Sequence, residues 1–312
     1  MSRAGFQNRI SDSKDMKYIG EIAALATAFF FAMTALIFTS TGRSVGSQVT
    51  NRMRLLFALV YLVLINIILF HEPLPFSAGS SRWFWLGLSG IIGLALGDAF
   101  LFQSLVSVGP RLGSLLLSLA PVFGSIIAWM FFGEILTVLQ ITGIILTLAG
   151  IAWVVSTEES ADLPDGDIRR GVIFGILAAL GQAVGLVFSK QGMSGDFSPF
   201  QANAIRMLAA VIFVWVWAAL DGRARATING VCGKPRIIAL LALGAFVGPV
   251  LGVSSSLFAI QHAEIGVAST LIALTPVILL PISYFVFKEK VGRQAIFGTI
   301  LAIFGVAILF LA

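Results

Sequence analysis

LGSLLLSLAPVFGSIIAWMFFGEILTVLQITGIILTLAGIAWVV runs from Leu112 to Val155, and IGVASTLIALTPVILLPISYFVFKEKVGRQAIFGTILAIFGVAIL runs from Ile265 to Leu309. Each reads as two apolar helices joined by a hinge of a few residues. Their landmarks superimpose: Pro121 on Pro276, Glu134 on Glu289, Gly143 on Gly298 and Gly150 on Gly305, every pair 155 positions apart. Four landmarks at one spacing point to a tandem duplication of a unit about half the length of the chain.

Composition names the solvent. Hydrophobic residues make up 58% of the chain and charged residues 11%, with a mean hydropathy of +0.99, whereas soluble domains carry about 25% charge. The solvent is lipid. The net charge of +5 does not indicate nucleic acid, because the basic residues are scattered through short loops and form no stripe. Basic residues flanking apolar runs are ordinary in membrane proteins. The single Cys232 excludes an internal disulfide and a cysteine-built metal site, and His71 and His262 lie far apart, so neither a metal nor another cofactor is expected. The polar start, Met1 to Met16, leads into an apolar run too long for a signal-peptide core.

Outward from the opening stretch, ten apolar runs are predicted to cross the membrane: 18–38, 53–70, 83–106, 112–132, 136–155, 171–188, 204–220, 237–258, 265–287 and 295–311. The sharpest change of composition is STEESADLPDGDIRR, Ser156 to Arg170. The expected fold is therefore an all-α integral membrane protein of ten transmembrane helices, with a first five-helix repeat over 17–155, a linker over 156–170 and a second repeat over 171–311. An odd number of helices per repeat makes the second enter from the opposite side. Inverted repeats of this kind are typical of secondary transporters, although channels use them too.

Small residues give the packing. Ser89, Gly93 and Gly97 fall four apart in the third run and map onto Gly244, Gly248 and Gly252 in the eighth. That spacing sets them on one helix face, where backbones approach closely. Pro121 and Pro276 interrupt the fourth and ninth runs, either as kinks that shape a cavity or as hinges that move. Ser114 and Ser118 precede the first proline; Ser269, Thr270 and Thr275 precede the second. Their hydroxyls serve either to satisfy freed carbonyls or to line a polar cavity. Glu134 and Glu289 read as caps of the following helices.

The duplicated layout, the proline followed by an apolar run and FFGE (Gly133 and Glu134), and Gly143 and Gly150 in the next helix resemble the EamA-like branch of the drug/metabolite transporter superfamily. The second repeat departs from the pattern at Lys288, which stands where the first has Gly133. The resemblance implies a basket-like bundle whose central cavity is formed mainly by helices one, three, four, six, eight and nine. It also implies a transporter of amino acids, other metabolites, drugs or nucleotide sugars. The expected location is the cytoplasmic membrane of a bacterium or archaeon.

A charge in hydrocarbon costs at least about 2.5 kcal/mol and needs a reason. Asp98, well inside the third run and followed by Gln103 and Ser104, is the leading candidate for substrate binding or proton coupling, with Val253 as its mate in the second half. A structural hydrogen bond to a neighbouring helix is the competing account. Gln182 is a further cavity candidate, with Gln261 and His262 behind it. Arg54 and Arg206, in NRMRLLFA and NAIRMLAA, open the second helix of each half; they resemble a recurring family arginine and are expected to anchor to headgroups or a loop carboxylate.

The leading reading is a secondary transporter, an exporter or exchanger of a small organic metabolite such as an amino acid or drug-like compound, working by alternating access. Its partners are the lipid bilayer, the small-molecule substrate and, if Asp98 couples, protons; no nucleic acid is involved. No Walker-type loop is present. A passive channel or scramblase and a lipid-modifying membrane enzyme are the alternatives; the enzyme would need a cluster of His, Asp or Glu near one interface, and the chain offers dispersed single residues, so no enzymatic activity is expected. Both termini share one side, which holds Arg3, Arg9, Lys14, Lys17, Arg82, Lys190 and Arg206 against thirteen basic residues opposite. This count favours external termini, whereas the charges before the first helix and the resemblance favour internal ones.

Overall fold

A computed structural model of the chain describes residues 18–132, 137–157, 168–195, 197–262, 268, 271–287 and 292–311. Ser269, Thr270, Gly133, Glu134, Lys288 and Glu289 lie outside these residues. Every long element described is helical, since a helix satisfies its own backbone polar groups where lipid offers none. The first repeat contains α1 (Ile19–Val45), α2 (Ser47–Phe70), α3 (Ser80–Ser89), α4 (Asp98–Leu117), α5 (Ala120–Phe132) and α6 (Val138–Thr157). The second contains α7 (Ile168–Gly192), α8 (Pro199–Leu220), α9 (Ala224–Val231), α10 (Pro235–Ala245), α11 (Val253–His262), α12 (Thr275–Phe287) and α13 (Arg293–Leu311). Among the described residues, seven continuous helical stretches are long and apolar enough to cross a membrane, and Arg293–Leu309 is a shorter apolar one.

Polar side chains satisfied inside the protein carry α1 and α2 past their predicted ends. α1 continues to Val45 through Thr39 and Thr41, whose hydroxyls donate to Ala35 O (2.6 Å) and Ile37 O (3.1 Å) one turn back. α2 begins at Ser47 rather than Met53, and the extra turn brings Asn51 and Arg52 into the buried part of the bundle. The stretch Ser80–Leu117 is not one straight span. Gly109 sits at φ +82°, before Pro110, a conformation open to glycine at no steric cost. A Cβ on Gly113 would lie 3.3 Å from both Leu105 N and Leu105 Cα. Eight residues of straight helix would separate these positions by about 12 Å, so the chain folds back at Gly109.

The landmark glycines meet one another. A Cβ on Gly143 would lie 2.7 Å from Gly305 O, and one on Gly150 would lie 2.6 Å from Gly298 O. As the number rises along α6 it falls along α13, so these equivalent helices pack antiparallel. Midway, Thr147 donates its hydroxyl to Ala302 O (3.3 Å), its own partner at the 155-residue spacing. A residue touching its repeat mate marks where a local two-fold axis crosses the pair.

The repeat breaks its helices at matching places. α4 ends with Ser118 and Leu119 in a turn before Pro121, and Ala273 and Leu274 form the same turn before Pro276. Both prolines stand second in the next helix, where the missing N–H is needed least. Between α3 and α4 the segment Gly90–Gly97 widens into a π-helix, and Phe246–Gly252 does the same between α10 and α11. Such wide turns are rare and concentrate at functional sites.

Candidate functional site

A π-helical turn leaves carbonyls that need donors from elsewhere. In the first half the donors come from α2 and α7: Asn51 Nδ2 donates to Ala95 O (3.1 Å), Arg54 Nη2 to Leu94 O (3.1 Å) and Gln182 Nε2 to Gly93 O (3.2 Å). In the second half Asn203 Nδ2 on α8 donates to Pro249 O (2.8 Å), and Thr27 Oγ1 on α1 reaches Gly252 O (3.5 Å). Asn51 and Asn203 open the Asn-x-x-Arg tetrads that start the second long helix of each half. Asp98 begins α4 where the first wide turn closes, so the same donors converge on its carboxylate. Arg54 Nη2 is ion-paired to Asp98 Oδ2, and Gln182 Nε2 donates to Asp98 Oδ1 at 2.6 Å.

The charged members of this cluster are buried, and the cluster crosses the boundary between repeats. Asp98, Arg54 and Arg206 are 6%, 3% and 5% exposed. Arg54 and Asp98 come from the first repeat, Gln182 and Arg206 from the second. Arg54 lies over the ring of Phe102 (4.8 Å to its centroid), which packs against Phe38. Its Nε and Nη2 also donate to Asn51 Oδ1, at 3.1 and 3.0 Å. Arg206 acts electrostatically on Asp98, and its Nε has no hydrogen-bond partner among the described residues. A Cβ on Gly93 would sit 3.7 Å from Arg206 Nη2 and 3.9 Å from Gln182 Oε1, so both groups lie beside Gly93. One guanidinium thus pairs with the carboxylate, and a second, from the other repeat, lies near enough to act on its charge.

The expectation that Arg54 and Arg206 anchor to headgroups or a loop carboxylate is corrected: both lie inside the bundle, and the partner of Arg54 is an intramembrane carboxylate. The physical reason is the wide turn, whose free carbonyls and following Asp98 make a polar interior.

The other predicted residues are distributed more widely. Gln103 does not join Asp98; it accepts from Ser47 Oγ (2.6 Å) and donates to Ser107 Oγ (3.3 Å) near the α1–α2 junction. Ser114 and Ser118 are buried at the end of α4, where Ser118 Oγ reaches Ser114 O at 3.5 Å. Gly93 and Gly97 pack on α7, where Cβ atoms on Gly185 and Gly181 would come within 2.9 Å of their Cα atoms. A Cβ on Gly248 would lie 2.7 Å from Thr34 Cγ2, and one on Gly252 2.8 Å from the ring of Phe31, both on α1. Gln261 and His262 line a cavity of about 360 Å³ with Phe197 and Ser198 at one end of the bundle. Another, of about 270 Å³, lies between α2, the first wide turn and α8. Among the described residues no group of His, Cys, Asp and Glu could hold a metal ion.

Sequence reasoning missed Asn51, Asn203 and the aromatic pair under Arg54. The signal was the Asn-x-x-Arg tetrad, present at 51–54 and at 203–206. These copies lie 152 rather than 155 residues apart, so the landmark spacing passes over them.

The profile of the EamA-like transporter family matches residues 18–156 and again residues 169–311. The chain belongs to the EamA-like transporter family. Among curated proteins, this EamA-like chain is 30% identical to Protein LicB of Haemophilus influenzae over 149 residues, 45% of this chain and 47% of that protein. It is 26% identical to an uncharacterized transporter of Clostridium kluyveri, over 46% of this chain and 45% of the relative. Over 72 residues it is 39% identical to the probable 4-amino-4-deoxy-L-arabinose-phosphoundecaprenol flippase subunit ArnE of Pseudomonas paraeruginosa, 23% of this chain and 57% of that subunit. The chain thus aligns with about half the length of these relatives. A crystal structure covering 95% of this chain and 98% of its own superimposes with a TM-score of 0.59 at 17% identity, a likeness of fold.

Proposed function

We propose that this EamA-like protein is a secondary transporter in a bacterial cytoplasmic membrane, exporting or exchanging a small organic metabolite such as an amino acid or drug-like compound by alternating access. The observation that carries the reading is the buried Arg54–Asp98–Gln182–Arg206 cluster, built from both repeats in the interior of an apolar bundle. Ten spans in two inverted five-helix repeats fit the chain. The reversal at Gly109 divides the longest helical stretch into two passes, and the antiparallel contact of α6 with α13 is what inverted repeats require. In this reading Asp98 is the coupling group. Rocking one repeat on the other changes the separation of its carboxylate from Gln182 and Arg206, which the second repeat supplies, and a proton can take the place of the interaction that is lost. Breaks before Pro121 and Pro276 supply the places where α4–α5 and the matching pair bend.

Proteoliposomes holding the full chain test this. Counterflow of labelled amino acids that saturates and is stimulated by unlabelled amino acids inside supports a carrier. Asp98→Asn, which keeps the shape but cannot ionise, is expected to abolish accumulation driven by a pH gradient while leaving exchange in the absence of a gradient. Unchanged pH-driven accumulation by a folded Asp98→Asn protein removes the coupling role. The flippase named among the relatives motivates a parallel assay with a fluorescent phospholipid; non-saturable lipid movement in place of counterflow would favour a scramblase.

A further inference from the structure

The cavity between α2, the first wide turn and α8 lies outside the Asp98 cluster. Asn51, Gln48 and Arg52 form its polar end, while Leu96, Phe213 and Trp217 belong to its apolar walls. No carboxylate lines it. Arg52 is 6% exposed, and one N–H, on Nη1, donates to Thr227 Oγ1 (2.9 Å) on the short α9. Arg223 and Asp221 act on its charge from the same end, leaving cations in excess there. Gln48, Leu96 and Trp217 are exposed, so the crevice opens sideways onto the lipid-facing surface. Arg52 lies about 8 Å along α2 from its first residue, Ser47, a distance over which an arginine stem can snorkel its guanidinium towards headgroups. A volume of about 270 Å³ falls short of the roughly 300–1,000 Å³ of pockets that enclose a whole small molecule. It suits a headgroup whose chains remain outside.

We propose that this crevice is a binding site for an anionic phospholipid of the surrounding leaflet, with its phosphate at Arg52 and its chains against Phe213 and Trp217. The guanidinium supplies charge-assisted donors to the phosphate oxygens, and the exposed Trp217 ring, beside the half-buried Phe213, offers the amphipathic surface that tryptophan presents at membrane interfaces. The site is separate from the transport cluster, although Asn51 touches both.

Native mass spectrometry of the full chain, after incubation with phosphatidylglycerol or phosphatidylcholine of the same acyl chains, tests the site. Phosphatidylglycerol should be retained preferentially, and excess inorganic phosphate should not displace it. Arg52→Gln should reduce retention about tenfold, the scale of one lost charged hydrogen bond. Trp217→Ala, at an exposed position, should weaken retention without changing the melting temperature, and it decides the matter if Arg52→Gln fails to fold. Equal retention of the two lipids, displacement by inorganic phosphate, or wild-type retention by folded Trp217→Ala protein would each overturn the proposal.

Discussion

Asp98 is a buried carboxylate held from two helices. Both of its oxygens are engaged, by Arg54 and by Gln182, and each of those partners also holds a carbonyl of the wide turn. Removing one member of a buried ion pair leaves the other uncompensated, which costs about 3–5 kcal/mol, whereas replacing both is far less damaging. Asp98→Ala is therefore expected to lower stability by about that amount, and Asp98→Leu combined with Arg54→Met to recover much of it. Thermal denaturation in detergent of the single and double variants checks this; additive losses in the cycle would mean that the pair is not coupled. The presence of Arg206 sharpens the expectation, because loss of the carboxylate leaves two buried guanidinium groups without a counter-charge.

At the scale of elements, the small residues form two kinds of contact. Gly93 faces Gly185 with room for a methyl group, since a Cβ there meets nothing closer than 3.5 Å. Gly248 has none, because its Cβ would collide with Thr34 at 2.7 Å. Gly248→Ala should therefore destabilise the packing of α1 against the second wide turn by about 1–3 kcal/mol, the usual range for overpacking, while Gly93→Ala stays close to wild type. Leucine at either place should prevent assembly, measured as yield of monodisperse protein. A normal yield of Gly248→Leu would contradict the close approach of these helices. Loss of the Asn203 cap is a separate route to damage: Asn203→Ala leaves Pro249 O without that donor in a segment where water is scarce, at a cost of about 1–3 kcal/mol.

For the whole molecule, burial changes the reading of charge. Arg52, Arg54, Arg111 and Arg206 are each buried and do not act as loop charges. Without them the terminal side keeps six of its seven basic residues and the opposite side ten of thirteen, so the count still favours external termini, by a smaller margin. The charges before the first helix oppose it. With internal termini, Cys232 after α9 faces outward, and it is exposed. An impermeant maleimide is then expected to label Cys232 in intact cells; labelling only after permeabilisation reverses the orientation.

The membrane setting and the duplication were legible in the sequence, because each depends on composition or on spacing along the chain. Lipid excludes charge from any apolar run, and a 155-residue repeat can be counted without knowing what touches what. Asp98 stood out for the same reason, as a charge where charge is costly. Its partners did not, since Arg54 and Arg206 begin apolar helices and read equally well as interfacial anchors. Only the tertiary structure turned them inward. Widening of the helix at Gly90–Gly97 is a property of hydrogen-bond register, which a run of glycines and aliphatic residues does not announce. The carbonyls it frees draw Asn51, Arg54 and Gln182 from other helices to one point. Which residues meet across the repeats depends on helices approaching within a few ångströms, and that proximity exists only once the bundle has closed.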